Sequence, residues 1–106
     1  MDRTGTAPRE AEELEAELAR ARQRVARAGL HPAWPQEAGR LAQRWADEEA
    51  AEQGWEPVEL VVSSPAALPD VLATVARHRL AGARERGEVA RTLADDLADL
   101  RRRHGG

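Results

Sequence analysis

The sequence predicts a mainly α fold, a small four-helix arrangement with one short central β segment at about residues 58–62. Three observations carry that expectation. Apolar residues recur at helical spacing in four separate stretches. Gly29, Gly54 and Gly82, with Pro35, Pro57 and Pro65, punctuate the chain between those stretches. Val58-Glu59-Leu60-Val61-Val62 has the β-branched density and alternation of a strand, and no other segment does.

The first helix is expected over Arg9–Ala28. Ala11, Leu14, Leu18, Ala21, Val25 and Ala28 step alternately by three and four, which is a coiled-coil-like heptad seam. Glutamates crowd its first half (Glu10, Glu12, Glu13, Glu15, Glu17) and arginines its second (Arg20, Arg22, Arg24, Arg27), an order that complements the helix dipole. Gly29 is a stop signal, and 31–35 reads as a connector.

Pro35 suits the first turn of a second helix, whose stripe is Trp34, Ala38, Leu41 and Trp45. That helix should end at Gly54, with Trp55 folded back near Ala50 in a Schellman cap, and Pro57 forbids continuation. The 58–62 segment follows. A lone strand cannot satisfy its own backbone, so pairing with a second copy in a homodimer is the economical account.

Pro69 and Asp70 suit the start of a third helix, with Leu68, Leu72, Val75 and Ala76 inward and Val71 flanking, until Gly82. A fourth helix is expected from about Glu88 to Arg103, with Val89, Leu93, Leu97 and Leu100 inward and Asp99 paired to Arg103 at i,i+4. Residues 1–8 read as a flexible N-terminus, 9–103 as a single helical domain and 104–106 as a flexible tail.

Composition narrows the function. Of 106 residues 44 are hydrophobic, and 22 of those are alanine; Ile, Phe, Tyr and Cys are absent. So few large side chains make a thin core, and association is a common remedy for one. Without cysteine there is no disulfide, thiolate nucleophile or Cys-ligated metal. All 16 basic residues are arginine, which excludes lysine Schiff-base chemistry. No leader-like or membrane-length apolar run appears, so a cytoplasmic protein with no membrane partner is expected.

Candidates for chemistry are sparse. His31, His78 and His104 are widely separated, with no metal-ligand spacing. Asp95 and Asp99, and Glu48 and Glu52, lie one helical turn apart, but no Glu-Xaa-Xaa-His motif accompanies them. Ser63 and Ser64 resemble a turn or cap. No catalytic residue, metal or cofactor is expected.

The expectation is therefore a non-catalytic protein-interaction module, an adaptor or regulatory subunit that binds itself or a protein partner. Its anchors would be Leu14, Leu18 and Val25 on the heptad face. Trp34, Leu41, Trp45 and Trp55 would brace the bundle or meet the partner, and Val58, Leu60 and Val62 would pair across the interface.

Residues 58–100 also resemble a ribbon-helix-helix, which runs strand, helix, glycine-containing turn, helix. That resemblance implies a dimeric DNA-binding regulator reading DNA from outward strand positions, here Glu59 and Val61. An acidic residue is the wrong sign for phosphate, so nucleic acid is the disfavoured partner. The last six residues, Arg101 to Gly106, resemble the basic diglycine tail of ubiquitin-like modifiers, whose β-grasp fold needs more strands than this chain offers.

Overall fold

The computed structural model describes residues 8–26 and 33–104. Among the described residues there are four α-helices: α1 (Pro8–Ala26), α2 (Ala33–Gln53), α3 (Leu68–Ala81) and α4 (Arg86–Arg103), with one 3-10 turn at Pro65–Ala67. The N-terminal segment before Pro8, the expected Gly29 stop and its neighbours Arg27, Ala28 and His31, and the two closing glycines lie outside them.

Cross-helix side-chain pairs fix the direction of each helix. Glu17 meets Arg101, and Arg24 donates to the carbonyl of His104, so α1 and α4 run parallel. Glu37 meets Arg103 and Trp45 meets Asp96, so α2 is antiparallel to α4. Glu49 meets His78 and Gln53 meets the Gly82 carbonyl, while Leu68 lies beside Gly39; α2 and α3 are therefore parallel. The topology is up-down-down-up.

The parallel α2–α3 pair decides what happens between them. A chain leaving the end of α2 at Gln53 must return along the helix before α3 can begin beside Gly39. That distance is about 20 Å at ~1.5 Å per helical residue. An extended chain covers it in about six or seven residues at ~3.3 Å each, which residues 54–64 supply.

The β segment expected at 58–62 is thus corrected. No strand is present among the described residues, and this stretch is the crossover that the parallel helices require. Its alternation is real, because Leu60 and Val62 pack against the core while Glu59 and Val61 face solvent. The ladder is missing because the neighbour is a helix, not another strand.

The α2 end follows the expected cap. Gly54 takes a φ of 74°, a left-handed conformation that favours glycine, and the Trp55 N–H donates to the Ala50 carbonyl at 2.8 Å. Trp34 and Pro35 both fall inside the first turn of α2, where a missing N–H costs nothing.

The core lies where all four helices meet. Its fully buried large side chains are Trp34, Trp45, Leu14, Leu72, Leu93 and Leu100. Between them sit alanines with no exposure at all: Ala38, Ala42, Ala76 and Ala90. Small side chains at such positions allow helix axes to approach closely, which lets a core with few large side chains be filled. Among the described residues eight of the chain's 22 alanines are buried, so packing accounts for part of their abundance.

Candidate interaction surface

The crossover is held to α2 by a single side chain. Gln43 Nε2 donates to the Val58 carbonyl at 2.9 Å, and the Leu60 N–H donates to Gln43 Oε1 at 2.8 Å. The carboxamide thereby makes the two bonds that a neighbouring strand's peptide group would make. Gln43 Nε2 also donates to Asp47 Oδ1 one turn on, which orients the amide. This answers, within one chain, how part of the segment's backbone is satisfied.

In an extended segment alternate residues point their backbone groups to opposite sides. With Val58 and Leu60 turned to Gln43, the N–H and C=O groups of Glu59 and Val61 form the outer edge. Neither makes a hydrogen bond to any described residue. Beside this edge an open groove of about 280 Å³ runs against α3, lined by Leu60, Val61, Ala67, Val71, Thr74 and Val75, with Asp70 at its rim.

At the other end of the crossover a polar seam joins the C-terminal halves of α2 and α3. Arg79 is 9% exposed and forks onto Glu48 and Glu52, both at 2.9 Å. Burial pulls its pKa down, but the hydrogen bonds it donates to Glu52 and Glu48, with their charges, outweigh that, so the guanidinium is held cationic more firmly than usual. His78 Nδ1 lies 2.8 Å from Glu49 Oε2, and the Trp55 ring packs on the imidazole at 5.9 Å between centroids. These contacts clamp α3 to α2 and set the position of Trp55.

A second buried carboxylate, Glu17, is chelated by Arg101 through Nε and Nη2 at 3.1 and 2.9 Å and also met by Arg20. Hydrogen bonding to Glu17 and its charge raise the Arg101 pKa. This pair ties α1 to α4 and borders a cleft of only about 10 Å³, room for no more than a water molecule. Among the described residues no cluster of three or more histidine or carboxylate groups is placed to hold a metal, and no helix is long and apolar enough to cross a membrane.

The residues expected as anchors divide into two sets. Leu14, Leu18, Trp34, Leu41 and Trp45 are buried inside the chain, and Val25 packs at the core's edge. The heptad face of α1 is covered chiefly by α4 of the same chain. Leu60 and Val62 lean on the core from the crossover. Trp55 and Val58 are exposed, as is Val61, expected to face outward.

Asp99 pairs with Arg103 at 3.3 Å, as the i,i+4 spacing predicts. His104, expected to open the flexible tail, has a side chain only 6% exposed and packs near Glu37.

Sequence reasoning missed Gln43 and Arg79. Arg79 had a signal, since Leu72, Val75, Ala76 and Arg79 continue one inward stripe and Glu48 and Glu52 share a face opposite. Gln43 had none, because a glutamine beside an apolar stripe reads as solvated surface. No family model, curated protein or solved structure matches this chain.

Proposed function

We propose that the chain is a non-catalytic protein-interaction module, an adaptor or regulatory subunit, that meets its partner through the crossover at 55–62. One observation carries the reading. The exposed large hydrophobic residues among those described are Trp55 (52%), Val58 (67%) and Val61 (89%), and all lie on this one segment. Scattered apolar exposure is ordinary, whereas exposure gathered on one segment beside an apolar groove marks a contact surface. Tryptophan is also the side chain most enriched at binding hot spots. The histidine and arginine behind Trp55, His78 and Arg79, are engaged in holding α3 to α2. Among the described residues the carboxylates on the segment have no histidine or arginine left beside them to work with, which supports contact over chemistry.

The ribbon-helix-helix-like DNA regulator gains no support from this surface. Between Arg44 and Arg77 the sequence has seven carboxylates and no basic residue, so the crossover would oppose a phosphate backbone.

A photo-crosslinking scan in the cells that make the protein tests the interaction reading. The crosslinking amino acid is placed at 55, 58 and 61 and, as controls, at the exposed positions 9, 40 and 84. Discrete protein adducts from the crossover positions alone are expected, whether with a second copy or with another protein. Equal labelling from the controls overturns the reading.

A further inference from the structure

The crossover is apolar and acidic together. Glu56 and Glu59 are exposed, alternate with Trp55, Val58 and Val61, and have no ion-pair partner among the described residues. The other carboxylates nearby are already engaged: Asp70 by Arg22, Glu49 by His78, and Glu48 and Glu52 by Arg79. Glu56 and Glu59 are therefore charges with nothing to neutralise them on a surface otherwise suited to burial. Burying them against an apolar or acidic partner would be costly, and against a cationic one favourable.

The outer edge adds direction to that preference. Glu59 and Val61 present unpaired backbone N–H and C=O groups, the template an incoming strand uses. A second copy paired along this edge brings Glu59 toward its own symmetry mate, and like charges across a strand pair repel. The carboxylate that blocks a second copy selects an opposite charge, which is how one residue supplies both attraction and rejection.

We propose that the crossover binds an extended, cationic segment of another protein by strand addition along Glu59–Val61. In this arrangement an aliphatic side chain of the partner enters the groove between Leu60, Val71 and Val75. The arginine or lysine residues next to it in sequence point the other way, toward Glu59, with Glu56 adding negative charge just before the edge. Alternation does this naturally, because successive side chains of an extended segment point to opposite faces. The inference rests on the interaction reading above and adds the chemistry of the partner to it.

The test uses the full chain and a short fluorescent peptide that alternates arginine with leucine and valine. Its counterpart carries glutamate for arginine, and a third version is N-methylated at alternate residues so that it cannot donate to the edge. Anisotropy titrations are expected to show the cationic peptide binding about tenfold or more tighter than the acidic one, with affinity falling as salt rises. Glu56→Gln with Glu59→Gln should remove most of that preference, and Val61→Asp or N-methylation should weaken binding by about tenfold or more.

Binding that survives Val61→Asp and N-methylation is general charge attraction and overturns the proposal. So does equal affinity for the two charge versions. A wild-type chain that sediments as a dimer and becomes a monomer with Val61→Asp also overturns it, since the occupant is then a second copy. If crosslinks form at 55–61 while the peptides show no charge preference, only the partner chemistry fails and the interaction reading stands.

Discussion

Trp45 and Trp55 are ten residues apart and meet opposite fates. Trp45 is wholly buried on the inner face of α2, where its Nε1 donates to Asp96 Oδ2 at 2.9 Å. Trp55 lies just past the Gly54 cap, half-exposed against the ring of His78. Helical periodicity carries the first into the core, and the reversal at Gly54 carries the second out of it. A tryptophan's role in this chain is set by whether it lies before or after that glycine.

The contrast can be broken by substitution, and the largest effect is expected at Trp45. Trp45→Ala should cost about 3–5 kcal/mol, through lost burial, a cavity and a lost hydrogen bond to Asp96, which keeps Arg44 as its partner. Domains of this size hold only about 5–15 kcal/mol in all, so a chemical denaturation curve should shift far or lose its cooperativity. Trp55→Ala should move the same curve by less than about 0.5 kcal/mol, and equal shifts from the two would remove the distinction.

Next in size is Arg79→Ala, at about 2 kcal/mol, because charge-assisted hydrogen bonds to two carboxylates and a mostly buried stem are lost together. Gln43→Ala should cost about 1 kcal/mol globally. Its sharper readout is hydrogen exchange, where the Leu60 amide should lose protection while amides in α4 keep theirs. The smallest effect belongs to Val61→Asp, within about 0.5 kcal/mol of wild type in stability since the side chain is almost fully solvated. That substitution sharpens the contrast from the other side, because it separates the crossover's surface from the fold beneath it.

Much of the fold is legible in the spacing of apolar residues. Leu14, Leu18, Leu72, Leu93 and Leu97 announce which face of each helix turns inward, and Gly54 with Trp55 announces the cap. Spacing says nothing about what covers a face, so the heptad seam of α1 reads equally well as a dimer contact and as a seat for α4. Helix direction is hidden for the same reason. Val58–Val62 has the local preference of a strand, and only the parallel run of α2 and α3, a fact of the whole chain, makes it a crossover. Glu59 and Val61 were nonetheless legible as outward positions, because alternation survives without a ladder. The link between Gln43 and the crossover was not, since it joins a helix flank to a loop fifteen residues later.

The parallel docking of α1 on α4 also governs the order of events during synthesis. Of the four described helices α1, with Leu14 and Leu18, is made first, and α4, which chiefly covers it, is made after the other three. The nascent chain therefore carries this seam without its chief cover until α4 has left the ribosome, and the core cannot be completed from the first three helices alone. Contacts of such long sequence separation slow folding relative to a bundle whose neighbours in space are neighbours in sequence. A chain stopped before Arg86 should remain open, with α1 exposed to chaperones and proteases.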